Sequence, residues 1–576
     1  MLTPIRHRAP LSLAVLIATA PFAAGDVYDF RVVAESGDPA PGSIGGSFTS
    51  FSGVSINASG QIAFRADSTG AIAESGYWKT AFNNPQLIQL IVGQDYPVPN
   101  SGGQHFGEFW SSFYTPHLND AGNVGFSAPV GDDVVNTGIF RMVNGSIETI
   151  ALPGDPAPGA GPGVTFTALL NLIAFNDDNL IATRAHLAGR GVNASNDSAL
   201  YLTWFGGFQL VAREGGGAPG LPGTTFGSIE VTMPLLGNNG QIAFDVSLNG
   251  ADAAFSSRWR GWPGSLTCLV KDGDPTPEGG VFSNASPSFW TMSLSETGAA
   301  FRSSIETPAG LTPALWHASG GPGNVVTPLA VVGDLGPLGF YDVLGWEVPN
   351  TAIDGASVFS ARFAAFGLPD ATDSAILRGT PGGATEVLLR EGNPAYGFGA
   401  GVVIDDVVEF SDSTTFGTTD SGWTLIRARV RGLGINDSNN LGLWTVDPDG
   451  EIHYIIKTGT LLSLDGQPAR LVESIHPFIS VGQQSGRRSS INERGDVALS
   501  IRFSNGDEAV VVAQLPDSCP GDLDEDGIVD ATDLAILLGG WGVFGPVGTG
   551  GDVDRDGDTD ALDLGVLLGA WGPCEG

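Results

Sequence analysis

Apolar residues in this chain come in short runs separated by turns rich in Gly, Pro, Asn and Asp, and the runs recur on a period of about sixty residues. A Gly-Asp-Pro-like turn marks the period: Gly37-Asp38-Pro39, Gly93-Gln94-Asp95, Gly154-Asp155-Pro156, Gly215-Gly216-Gly217, Gly273-Asp274-Pro275, Gly333-Asp334, Gly392-Asn393-Pro394 and Gly459-Thr460. Successive turns lie 56, 61, 61, 58, 60, 59 and 67 residues apart, which gives eight copies. A second element follows several of them: Ile56-Asn57 to Gly60 and Phe64, Leu118-Asn119 to Gly122 and Phe126, Leu236 to Gly240 and Phe244, and Ile491-Asn492 to Gly495 and Leu499. Repeats six and seven keep fragments of it, Gly355 to Phe359 and Gly422 to Ile426. The Asn-x-x-Gly stretch predicts a tight turn, and the alternation after it predicts a half-buried strand.

Two further short apolar runs complete each unit. Examples are Gly76-Tyr77-Trp78 and Gly442-Leu443-Trp444, then Leu87 to Val92 and Ala384 to Leu389. Four antiparallel strands per unit of this length fit a propeller blade, so the expected fold is mostly β, an eight-bladed β-propeller over 26–515 with seven blades as the alternative. A lone strand at Val27 to Val33 and another at Glu508 to Gln514 would complete one shared blade and leave no open edge.

Composition narrows the setting. Residues 1–25 carry Arg6 and Arg8, an apolar stretch from Leu11 to Ala20, and Ala23-Ala24-Gly25, the pattern of a secretory leader. The expected location is therefore secreted or cell-surface, with no membrane span. Formal charge is −36, with 26 Lys plus Arg against 62 Asp plus Glu, a field that repels nucleic acid and anionic membranes. Charged residues are only 15% and mean hydropathy is +0.11, which speaks for a folded chain.

The sharpest chemistry lies in the last residues, after a linker at 516–520. Two aspartate-rich loops sit 30 residues apart in a module spanning 521–576. The first offers Asp522, Asp524, Asp526, the carbonyl of Ile528, Asp530 and Asp533, with Gly527 at the sixth position. The second offers Asp552, Asp554, Asp556, Asp558, Asp560 and Asp563, with Gly557 in register. Positions 1, 3, 5, 7, 9 and 12 of a twelve-residue loop are the ligand positions of a Ca²⁺ site, so two calcium ions are expected. Clustered carboxylates repel each other, by about 1 kcal/mol per pair at 4 Å in water and about 4 at an effective dielectric of 20, and a divalent ion relieves this. Neither loop contains His or Cys, which disfavours zinc. Each loop precedes an apolar run, Leu534, Ile536, Leu537, Leu538 and Trp541, matched by Leu564, Val566, Leu567, Leu568 and Trp571. These predict two short helices with Leu534, Leu537, Leu564 and Leu567 on a docking face.

The loop-then-helix pair resembles the type I dockerin, a small α module that plugs into a cohesin. The resemblance implies a cohesin-like or other extracellular partner and places recognition at positions 10 and 11. Here those are Ala531-Thr532 and Ala561-Leu562, where the family has Ser-Thr. Dockerin termini lie close together, so the resemblance also implies a clasp between Cys519 and Cys574, two free thiols being the alternative. Cys268, in an apolar run, reads as a core residue. The body resembles secreted bacterial tandem-repeat proteins built from Asn-x-x-Gly-x-x-x-Phe units with a C-terminal anchor, which implies a propeller-like body and no known catalysis.

An enzyme has to be weighed against this. Glycoside hydrolysis needs two facing carboxylates. The turn aspartates Asp38, Asp155, Asp274 and Asp334 repeat, as turn-capping residues do and a catalytic pair does not. Asp405-Asp406 and Glu409 stand outside the recognised repeat and are the candidates for a catalytic or carbohydrate site. No Gly-x-Ser-x-Gly or His-Glu-x-x-His is present, and His105, His117, His186, His317, His453 and His476 are scattered singly. Trp110, Tyr114, Trp259 and Trp262 either stack on sugar or pack in cores. The expectation is a non-catalytic attachment protein. The alternatives are a dockerin-tethered glycoside hydrolase or polysaccharide lyase with its site in the propeller channel, and a purely structural extracellular protein.

Overall fold

The computed structural model describes residues 28–574, apart from 71, 82–83, 110–114, 132, 230–232, 284–291, 321–323, 346–348, 366–367, 409–414, 465, 478–485, 487–488, 516–518, 525–527, 543–550 and 555–557. The leader at 1–25 lies outside the described residues. Eight antiparallel sheets follow one another along the chain. The first is Phe48–Ile56, Ile62–Ser68, Ser75–Ala81 and Asn84–Gly93, in that order across the sheet. From blade one to blade seven the first strands of successive sheets touch one another in sequence, and blade eight meets the first strand of blade one, which sets the sheets around a common axis and makes each a blade. Eight buried apolar clusters sit one at each seam between neighbouring blades, so the core is a ring rather than a centre.

The ring closes through its ends. Asp29–Glu35 pairs antiparallel with Glu508–Gln514 and becomes the outer strand of blade eight. The N-terminal strand lies two residues later than the apolar run Val27 to Val33 suggested, while Glu508–Gln514 falls as expected. Eight blades stand, and the seven-bladed alternative does not: repeats six and seven have lost turn residues but keep their strands.

The repeated turns explain the period. The Gly-Asp turn links an outer strand to the next blade's inner strand. Its amide donates to a buried residue there: Gly37 to Phe48, Asp95 to Phe106, Gly154 to Phe166 and Gly392 to Ile404, at 2.8–3.0 Å. Asp38, Asp155 and Asp274 each accept the amide three residues earlier, from Glu35, Leu152 and Lys271 at 2.8–2.9 Å. These carboxylates are turn caps, as their repetition implied.

In several blades the inner strand is interrupted midway. In blade four, Thr224–Phe226 and Leu235–Leu236 pair with the two ends of Ile242–Gly250. Blades five, six and seven are built alike. Blade eight sends its interruption farthest: the carbonyl of Gly486 accepts the amide of Phe175 in blade three at 2.6 Å. Gly486 of blade eight therefore stands against blades three and four.

The short segment after residue 515 contains two helices, α1 (Ala531–Gly539) and α2 (Ala561–Gly569). A disulfide joins Cys519 to Cys574, with Cα atoms 5.4 Å apart, so the two-thiol alternative falls away. Among the described residues no helix is long and apolar enough to cross a membrane.

Candidate metal centres in the C-terminal loops

Each acidic loop is organised by its last aspartate. Asp533 accepts the amides of Leu523 at 2.6 Å, Asp524 at 3.2 Å and Asp530 at 2.7 Å. Asp563 accepts those of Val553 at 2.6 Å, Asp554 at 3.1 Å and Asp560 at 2.7 Å. Asp530 and Asp560 cap α1 and α2 through the amides of Thr532 and Leu562, and each forms a capping box with its partner aspartate. The twelve-residue pattern thus places a helix N-terminus against a buried carboxylate. Burial alone would raise the Asp533 carboxyl, but the amides of Asp530, Leu523 and Asp524 outweigh it and hold it below the ordinary carboxylate range.

This folding gathers the other acids. Ligand oxygens of Asp522, Asp524 and Asp533 lie within 4.8 Å of one another, as do those of Asp552, Asp554 and Asp563, and of Asp558, Asp560 and Asp563. Asp526 and Asp556 lie outside the described residues. Ile528 starts a two-residue strand, Ile528–Val529, paired with Gly572–Pro573 beside the disulfide. The donors brought together are all oxygen, the set suited to a hard cation such as Ca²⁺.

The two halves interlock. Gly521, at a φ of +104°, lies on the backbone of Leu567 in α2, and Gly551, at +107°, lies on that of Leu537 in α1. Leu537 and Leu567 are fully buried, and Leu534 and Leu564 pack against them. The sequence had put these four leucines on a docking face; they are the core of the module. Among the described residues, the large apolar groups left outside are Ile528, Leu538, Trp541, Leu562, Leu568 and Trp571. The helical period was right and its phase was misread, because both stripes of each helix are apolar.

The catalytic candidates in the propeller are otherwise engaged. Asp405 pairs with Arg431 at 3.0 Å, and Asp406 pairs with Arg362 while accepting the amide of Val408 at 2.8 Å. Asp405 also sits at a repeated place. Its amide meets Arg429, as Gly107 meets Pro129, Gly227 meets Ser247 and Gly345 meets Ser360. What looked unrepeated is the bend of an interrupted inner strand. Glu409, Trp110 and Tyr114 lie outside the described residues. Trp259 is fully buried and packs in the seam between blades three and four, so it offers no face to sugar.

Sequence reasoning missed a ring of side-chain bonds. A turn of the Asn-x-x-Gly shape is present in seven of the eight blades, including Asn176–Asn179 in blade three, while blade five turns with one residue fewer, the amide of Ser295 donating to the Gly298 carbonyl at 2.9 Å. Asn179 takes the glycine place at a φ of +60°, which asparagine tolerates. The leading asparagines reach the neighbouring turn: Asn492 to Asn57 at 3.3 Å, Asn57 to Asn119 at 2.9 Å, Asn119 to Asn176 at 3.1 Å and Asn176 to Gly237 at 3.0 Å, each amide donating to a carbonyl. Cations clasp the same turns. Lys79 donates to Gly122, Arg141 to Asn179, Arg260 to Ser295 and Glu296, and Arg378 to Gly422, each from the blade before. Each cation directly follows a fully buried apolar residue of its third strand (Trp78, Phe140, Trp259, Leu377), the sequence signal that could have revealed it.

The fold and these loops define the class: an eight-bladed β-propeller protein with a C-terminal pair of acidic loop–helix units. The chain belongs to a family of unknown function, DUF7453, whose model matches residues 24–80, 69–258, 222–407 and 390–518. No curated protein matches the chain. Among solved structures it is similar to the β-propeller domain of the Trilobed protease from Pyrococcus furiosus, at 10% identity and a TM-score of 0.33 over 73% of this chain and 98% of that one. It is also similar to a protein of unknown function from Dyadobacter fermentans, at 12% and 0.23 over 62% and 97%. A PL25 polysaccharide lyase, an ulvan lyase, gives 12% and 0.28 over 76% and 94%. Likeness at this level says nothing of substrate or activity.

Proposed function

We propose that this is a secreted or cell-surface, non-catalytic attachment protein. Its propeller displays two faces to an extracellular ligand, a polysaccharide among the candidates. Its C-terminal module, of the type I dockerin kind, holds two calcium ions and docks to a cohesin-like or other surface protein. The observation that carries the reading is the twice-built nest, in which Asp533 and Asp563 collect equivalent amides and draw equivalent carboxylates together. Asp522, Asp524, Asp526, the Ile528 carbonyl, Asp530 and Asp533 would hold one ion, and Asp552, Asp554, Asp556, Asp558, Asp560 and Asp563 the other. Bound calcium would supply the positive charge that these carboxylates lack. Among the described residues, Ile528, Leu538, Trp541, Leu562, Leu568 and Trp571 are the exposed apolar groups available for docking. A tethered polysaccharide-active enzyme is the weaker reading, because arginines occupy Asp405 and Asp406.

The test is calorimetric titration of the chelator-treated full chain with Ca²⁺, beside the Asp533→Ala/Asp563→Ala double variant. Two ions per chain, both lost in the variant, support the reading. Absence of binding, or binding unchanged in the variant, overturns it.

A further inference from the structure

The hairpin between the third and fourth strands of blade seven carries a cluster that the tail and the seams do not explain. It joins Leu441–Val446 to Ile452–Lys457. Asp447 closes the turn, its Oδ1 accepting the amide of Glu451 at 2.7 Å. The two-residue period of the strand puts Glu451 and His453 on one face and sends Ile452 into the seam between blades six and seven. His453 Nε2 stands 3.4 Å from Asp447 Oδ2. One ligand atom from each of Asp447, Glu451 and His453 lies within 4.8 Å of the others.

Three features set this group apart from a solvated turn. His453 is only 7% exposed, and its Nδ1 is buried without a hydrogen-bond partner among the described residues. The Trp423 ring lies against the imidazole, centroids 5.7 Å apart, and Arg378 of blade six holds the hairpin tip through the carbonyls of Asp447 and Pro448 at 2.8 and 2.7 Å. The equivalent tips in blades two, three and four are Asn144-Gly145, Phe205-Gly206 and Pro263-Gly264, with no ionisable group. Turn aspartates repeat around the ring; this set is built once.

We propose that Asp447, Glu451 and His453 form a site for a zinc-type divalent ion. One imidazole nitrogen and two carboxylate oxygens are the mixed donor set such ions take, and three protein ligands leave a fourth position open. The set differs from the all-oxygen tail, which suits calcium. Ligands at about 2.1 Å from zinc in a tetrahedron stand about 3.4 Å apart, the spacing Asp447 and His453 already have. Glu451 is exposed and closes the triad by a side-chain rotation.

The experiment titrates the chelator-treated full chain with Zn²⁺ in excess Ca²⁺, beside Glu451→Gln and His453→Gln. All three share the tail, so the difference between them reads the hairpin whether or not the tail binds calcium. The expected result is one zinc ion per chain whose affinity falls at least tenfold in each variant. With Co²⁺ in its place, the visible absorption of an imidazole-ligated ion is lost in His453→Gln. Glu451 is on the surface, so Glu451→Gln decides the matter even if the buried histidine variant folds poorly. Equal zinc stoichiometry and affinity in the wild type and Glu451→Gln overturn the proposal.

Discussion

The side-chain amide of Asn57 donates to the backbone carbonyl of Asn119, 62 residues on, at 2.9 Å. One blade's turn thereby fastens to the next, and Asn119 repeats the act toward Asn176. Asn119 also accepts the amide of Asn123 at 2.9 Å, so a single buried side chain shapes its own turn and joins two blades. Replacing it with alanine leaves the Asn123 amide and the Asn176 carbonyl without these partners. The Asn176 carbonyl keeps the Asn179 amide at 3.0 Å, so the cost falls on the buried Asn123 amide, about 1–3 kcal/mol. Asn119→Ala should lower the calorimetric melting temperature by several degrees. A surface substitution such as Ser146→Thr, at an exposed strand position outside the ring, should leave it nearly unchanged.

Much of this architecture was legible because propellers repeat, and repetition exposes what each blade requires. The eight Gly-Asp turns gave the blade count, and the split ends gave the closure. Blades three and five hid their turns for a local reason. Asn179 reaches the left-handed region without glycine, and blade five turns over Ser295–Gly298 with one residue fewer. The seams stayed hidden because Lys79 or Arg260 finds its carbonyl in the following blade, a distance no local pattern encodes. The acidic loops were legible for the opposite reason: their donors lie within twelve residues of one another. The phase of the helices was not, since Leu537 and Leu538 read alike until the partner loop covers one of them.

His317 should act as an acid sensor of stability. It is buried beside Arg260, and burial first, then that guanidinium, lowers its pKa to about 4. An unfolded histidine titrates near 6.5. Between these values the unfolded chain binds a proton that the folded chain refuses. The stability contribution is complete above about pH 6.5 and is lost as pH falls toward 4, by up to about 3 kcal/mol at 1.36 kcal/mol per unit. Melting curves from pH 7 to 5 should be less pH-dependent in His317→Gln than in the wild type. Identical slopes would refute this account.

The Cys519–Cys574 bond closes 55 residues. Chain entropy alone assigns a loop of that length about 4 kcal/mol. Cys519→Ser/Cys574→Ser should therefore speed amide exchange in α1 and α2 strongly. Among the described residues the module's core contains no propeller residue, so exchange in the propeller strands should be unaffected. Equal protection of α1 and α2 in both proteins would mean that the bond constrains little.

Gly486 sits where a side chain has no room. Its φ is +67°, and an added Cβ would stand 3.0 Å from the Leu236 carbonyl and 3.0 Å from the Phe175 nitrogen. Those atoms belong to blades four and three, so Gly486 joins blade eight to blades on the far side of the ring, and a Cβ here would press on both. The left-handed conformation costs a residue with a Cβ roughly 1–2 kcal/mol, more if β-branched, and the backbone contacts add to that. Gly486→Val should break the bond from Phe175, seen as faster exchange of the Phe175 amide, while the blade strands keep their protection. The bridge also bears on function, since a polymer threading the axis would have to displace it. If polysaccharide binding exists and is unchanged in Gly486→Val, the ligand sits on a face or the rim; if the variant binds more tightly, the axis is the route and this glycine guards it.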